Sequence, residues 1–115
     1  MNMRIRLDFG PFTLDATFFD TPVAQRLYDS LPQTVDLTGW GRELYGSVRG
    51  NHGSFNPVSK IPVGGLAYTE RGSYFCIFFG QDPAWPVEHI GTISGDGAEQ
   101  LNSHSLTQVT IQRNS

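Results

Sequence analysis

Gly65-Leu66-Ala67-Tyr68-Thr69-Glu70-Arg71-Gly72-Ser73-Tyr74-Phe75-Cys76-Ile77-Phe78-Phe79-Gly80 decides how the rest of the chain is read. It reads as a hairpin. Its second arm, Tyr74 to Phe79, has no polar position except the small thiol of Cys76. A half-buried strand alternates apolar and polar residues. A short, unbroken apolar run bounded by glycines predicts a strand covered on both faces. Glu70-Arg71-Gly72-Ser73 supplies the turn, and Gly80 ends the arm. A buried helix is the alternative, but the aromatic and β-branched content favours strand. Burying the four aromatic rings of this arm contributes on the order of several kcal/mol at ~25 cal/mol per Å².

A chain of 115 residues fits one domain, 1–115, with room for a real core. Thirteen glycines and seven prolines predict many turns between short strands. The net charge is −3, and the seven arginines and one lysine are scattered, so nucleic acid is not an expected partner. Cys76 is the single cysteine, which excludes an internal disulfide and paired-cysteine metal sites. No apolar run approaches the ~20 residues that span a membrane. Neither a membrane association nor a cofactor is expected, and the default reading is a soluble, cytoplasmic protein.

Outward from the hairpin, Met3, Ile5, Leu7 and Phe9 alternate with Arg4, Arg6 and Asp8, and Phe12, Leu14, Ala16 and Phe18 alternate with Thr13, Asp15 and Thr17 after Gly10-Pro11. These predict two half-buried strands. Asp20-Thr21-Pro22 starts a helix, with Asp20 or Thr21 as cap and proline in the first turn. Val23, Ala24, Leu27, Tyr28 and Leu31 form its apolar face, which predicts a plug for one end of a barrel. Thr34 to Leu37 is a short strand, and Thr38 to Tyr45 is read as the next. On that single strand Trp40, Arg42 and Leu44 share one face, and Glu43 and Tyr45 the other. Arg49 to Val63 is an irregular loop, either functional or mobile. Trp85, between Pro83 and Pro86, covers a pocket or seals the core, the second being commoner. Glu88 to Ile93 and Leu106 to Arg113 are strands, with a short helical turn near Ala98 to Leu101. The total is about eight strands, and closing such a sheet removes its edges.

The strings Trp40-Gly41-Arg42-Glu43-Leu44-Tyr45, Gly65-Leu66-Ala67-Tyr68, Cys76-Ile77-Phe78-Phe79-Gly80 and Ile90-Gly91-Thr92-Ile93, in this order, resemble the small prokaryotic cyclophilin-like family. The resemblance runs over almost the whole chain. It implies a bacterial-type protein with a mainly β fold: a closed, eight-stranded, mostly antiparallel cyclophilin-like barrel with one or two short capping helices. It also raises peptidyl-prolyl isomerisation as an activity, with Arg42 near the place of the cyclophilin arginine. The Gln-Gly-Gly-Asp run and the Asn-Gly-Ser-Gln-Phe-Phe stretch of true cyclophilins are absent from this sequence.

Few constellations carry chemistry. Cys76 in an apolar strand is an inert thiol, since burial raises a thiol pKa. His52, His89 and His104 lack metal-ligand spacing, so no metal is expected. Glu43, Tyr45, Tyr68 and Phe79 are the expected ligand-binding residues, a carboxylate and two phenols against an apolar wall. Packing of both tyrosines at the barrel rim, with Glu43 paired to an arginine, is the alternative. Three functions follow. The first is a non-catalytic binding protein for a small molecule or peptide. The second is a divergent prolyl isomerase using Arg42. The third is a self-associating or partner-docking domain, a homo-oligomer for instance, that uses the 49–63 loop.

Overall fold

The computed structural model describes residues 2–103 and 105–114; His104 lies outside them. The strands are β1 (Met3–Asp8), β2 (Thr13–Phe18), β3 (Gln33–Asp36), β4 (Thr38–Trp40), β5 (Glu43–Ser47), β6 (Gly65–Thr69), β7 (Tyr74–Phe78), β8 (Glu88–Ile93) and β9 (Gln108–Arg113). A helix, α1 (Pro22–Asp29), follows β2, and a 3₁₀ helix (Gly97–Ser103) precedes β9. All the ladders are antiparallel, in the order β3-β9-β1-β2-β8-β6-β7-β5-β4.

This sheet corrects the expected closed barrel of eight strands: there are nine, and the barrel is nearly closed. The ninth strand comes from within Thr38 to Tyr45, which folds as a hairpin and not as one strand. Gly41 sits at φ +60, and Trp40 pairs directly with Glu43. A two-residue turn with glycine at its first central position matches the twist of the flanking strands. The turn also resets the side-chain parity. Trp40 therefore joins Glu43 and Tyr45 on one face, instead of Arg42 and Leu44.

The remaining seam lies between β3 and β5, which run side by side without a ladder. Their approach requires Gly46. A Cβ there would collide with the Asp36 carbonyl oxygen and the Val35 side chain.

The interior is filled by alternate residues of the strands. Ile5, Leu7, Phe18, Leu66, Tyr68, Phe75, Ile77, Ile90, Val109 and Ile111 are all fully buried in one cluster. Val23, Ala24 and Leu27 of α1 join that cluster. Thr21 caps the helix, its Oγ1 accepting from Ala24 N at 3.3 Å, with Pro22 in the first turn. At the other end the Arg113 guanidinium donates to the Tyr28 and Asp29 carbonyl oxygens at 3.2 and 3.0 Å, where helix carbonyls lack internal partners. Among the described residues no helix is long and apolar enough to cross a membrane.

Candidate functional site

β7 is buried on both faces, and the two faces belong to different clusters. Phe75 and Ile77, with Phe79 just beyond the strand, enter the barrel interior. Cys76 and Phe78 point outward into a second cluster with Ile61, Ala67 and Val87, against which Tyr45, Val58 and Tyr74 pack. Cross-strand partners share a face. The register sets Glu43 opposite Phe78, Tyr45 opposite Cys76, and Thr69 opposite Tyr74. Those residues therefore stand together on the outside of the barrel wall.

Two loops roof this outer face, the 49–63 segment first and 79–87 second. Val58 and Val87 exchange backbone hydrogen bonds of 2.8 and 2.9 Å. The buried Glu88 carboxylate accepts from the Phe55 and Asn56 amides, Oε2 lying 3.1 and 2.7 Å away. His52 is buried, and its amide donates to the Tyr68 hydroxyl at 3.0 Å. The 49–63 segment is thus tied to the barrel by its own amides. Backbone groups need partners wherever they are buried, and these amides find theirs on the barrel.

Beneath the second loop lies a cavity of about 310 Å³. Its walls are Trp40, Glu43, Tyr45, Thr69, Tyr74, Cys76, Phe78, Pro83, Ala84, Trp85 and Val87. The Tyr45 and Tyr74 rings meet edge to face, their centroids 5.2 Å apart. Trp40 and Trp85 remain partly exposed, at 53% and 37%. Trp85 is held in place by its indole N–H, which donates to Thr69 Oγ1 at 3.0 Å. It covers a cavity and does not seal the barrel core, against the commoner expectation. On its far side a second, more open cavity of about 390 Å³ is lined by Tyr68, Glu70, Arg71 and Glu88 among others. The Arg71 guanidinium stacks 4.6 Å from the Trp85 ring centroid.

Glu43 is the acidic residue of the first cavity, and only 8% of it is exposed. Among the described residues no lysine, arginine or histidine forms an ion pair with it. Burial raises its carboxyl pKa above the ordinary value of 4.5, and a hydrogen bond with the Cys76 thiol opposes that rise in part. Cys76 is raised as well, first by burial and then by the Glu43 charge and hydrogen bond, so the thiol stays protonated at neutral pH. This pair has no activated nucleophile. What it offers is a desolvated carboxyl on an aromatic wall.

The four expected ligand-binding residues separate in space. Glu43 and Tyr45 line the first cavity. Tyr68 and Phe79 do not: both belong to the barrel cluster, Tyr68 fully buried with its hydroxyl 2.9 Å from Ser73 Oγ. The reason is register, since Tyr68 pairs with Phe75 and shares its inward face. Their places are taken by Phe78, Tyr74 and Cys76. The parity of β7 carried the signal, because its phenol and thiol fall on one set of alternate positions, with Phe78, and Phe75 and Ile77 fall on the other. Trp40 and Trp85 complete the list that the sequence left open.

Arg42 does not line the first cavity. It occupies the β4–β5 turn, its amide donating to Gln81 Oε1 at 2.6 Å and its carbonyl accepting from Phe79 N at 2.9 Å. His89 is removed from the cavity too. Burial lowers its pKa, a backbone hydrogen bond with Gly91 opposes this, and its buried Nε2 has no hydrogen-bond partner. Among the described residues no group of three or more His, Cys, Asp or Glu side chains could hold a metal ion.

Comparison with known proteins agrees with this architecture. A hypothetical protein from Archaeoglobus fulgidus, AF2241, is similar in structure with a TM-score of 0.80 at 24% identity, over 98% of this chain and 95% of that one. McbB, solved in complex with tryptophan, is similar with a TM-score of 0.78 at 13% identity; the match covers 96% of this chain and 45% of McbB. At these identities the likeness is one of fold. No curated protein sequence matches this one. The sequence pattern of the cyclophilin-like family matches residues 3–112, and the chain belongs to that family.

Proposed function

We propose that this chain is a binding protein that takes a small organic molecule, or one side chain of a peptide, into the cavity beside Glu43 and Tyr45. The observation that carries this reading is an apolar cavity of about 310 Å³ with a single buried carboxyl in its wall, standing outside a barrel whose own interior is already packed. Ligand sites take this form, with mostly apolar walls and a few polar groups that fix orientation. At ~30 Å³ per water molecule, the space corresponds to about ten waters, enough for one aromatic ring with a short substituent.

Amide chemical-shift mapping tests the reading with a panel of anionic, neutral and cationic fragments and short peptides. McbB, which shares the fold, was solved with tryptophan, so aromatic amino acids belong in the panel. The expected result is a set of shifts over residues 43–45, 74–78 and 83–87. Shifts confined to other segments, or none with any compound, would remove the reading. The isomerase alternative is decided by a protease-coupled proline-isomerisation assay with Arg42→Ala as control, where a rate equal to the uncatalysed one removes it.

A further inference from the structure

We infer that the ligand of this cavity carries a cationic nitrogen: an alkylammonium or arylalkylammonium group seated between the Glu43 carboxylate and the surrounding aromatic rings. This rests on the reading of the cavity as a small-molecule site and names the chemistry of its occupant.

Two independent features of the wall agree. The first is Glu43, a residue 8% exposed whose carboxyl faces the cavity, without a cationic partner among the described residues. A buried charge is costly unless it is paired. The Cys76 thiol is a weak donor and leaves most of the acceptor capacity of the carboxylate unused. The second is aromatic: Trp40, Tyr45, Tyr74, Phe78 and Trp85 line the same space. Aromatic faces carry negative potential and attract a cation, most strongly where water is excluded.

The two features select one ligand charge. An anion would meet the carboxylate and the negative ring faces together. A neutral ligand would leave the carboxylate uncompensated. A cation with an apolar body satisfies both, its charge on Glu43 and its carbons on the rings. Arg71 stacks on Trp85 and lines the neighbouring cavity, not this one.

The test uses the full chain and two matched pairs of probes. Choline is compared with its carbon isostere 3,3-dimethyl-1-butanol, and 2-phenylethylamine with 2-phenylethanol. Affinities come from amide shift titrations over residues 43–45 and 74–78. At least one cation is expected to bind tenfold or more tightly than its neutral partner, a difference of about 1.4 kcal/mol. Glu43→Gln keeps the shape and removes the charge; it should abolish that tenfold preference and leave the neutral compound unchanged. Trp40→Leu, at an exposed position, should weaken both members of a pair and the cation a few-fold more than its neutral partner. Neutral probes that bind as well as the cations, or a preference that survives Glu43→Gln, would overturn the inference while leaving a small-molecule site in place. Silence of all four probes, with neutral or anionic fragments shifting the same amides, would also overturn it. Silence of every compound would overturn the site itself.

Discussion

The two faces of β7 are made by one strand of five residues and have opposite characters. The inward side chains, Phe75 and Ile77, meet a barrel interior filled from every direction and leave no space. The outward ones, Tyr74, Cys76 and Phe78, meet loops, and loops roof a surface without filling it. The cavity lies where Pro83, Ala84 and Trp85 of the loop before β8 stand over the wall made by β5 and β7. A rigid wall with a looser cover is a natural place for a site, since the wall fixes geometry and the cover sets what enters.

The sharpest test of this contrast is a pair of truncations. Phe75→Ala removes an inward ring and should cost about 3–5 kcal/mol in urea-melt stability. Cys76→Ala removes an outward group beside a space that already exists, and should cost less than about 1.5 kcal/mol. Equal costs would show that the outer cluster is as tightly packed as the barrel.

Next in size is the fastening of the roof. Glu88→Ala deletes an acceptor serving two backbone amides, and hydrogen bonds to charged groups are worth about 1.5–3 kcal/mol each. Limited proteolysis should then cut within 50–60 while β1 and β9 stay protected. Unchanged protection would mean that the Val58–Val87 bridge and the His52 amide bond to Tyr68 hold the loop without Glu88.

The smallest effects are pH-dependent and opposite in sign. Burial lowers the pKa of His89 from 6.5, so the unfolded chain takes up a proton first as pH falls below that value. Its contribution is intact above pH 6.5 and is lost as pH falls through the folded pKa. His89→Leu should flatten stability below pH 6.5. Burial raises Glu43 from 4.5, so its stabilising contribution is intact below pH 4.5 and is lost as pH rises through the folded pKa. Glu43→Gln should therefore melt higher than the parent at pH 7, with the gap closing by pH 4. A site residue that weakens the fold it serves is the expected trade between stability and function.

The sequence made the strand structure legible wherever burial was uniform. The unbroken run of Tyr74 to Phe79 announced a two-sided strand, and Thr21-Pro22 announced a helix start. Legibility failed where two physical solutions give the same pattern. Trp40, Arg42 and Leu44 alternate smoothly through Gly41, so period two alone does not show that the chain reverses there. That reversal supplied the ninth strand and moved Trp40 to the cavity. Tyr68 and Phe79 were misplaced for a related reason. Alternation gives two faces but does not say which is inside until the cross-strand register is known.

The proposed cation site depends most on a carboxyl that is raised by burial and lacks a cationic partner among the described residues, at the edge of an aromatic cavity. The ¹³Cδ chemical shift of Glu43, followed across pH in the ligand-free protein, measures that state directly. A midpoint above 4.5 is predicted, moving down when an ammonium ligand is added. A midpoint at or below 4.5 would reveal a solvated or already paired carboxylate and would contradict the central claim.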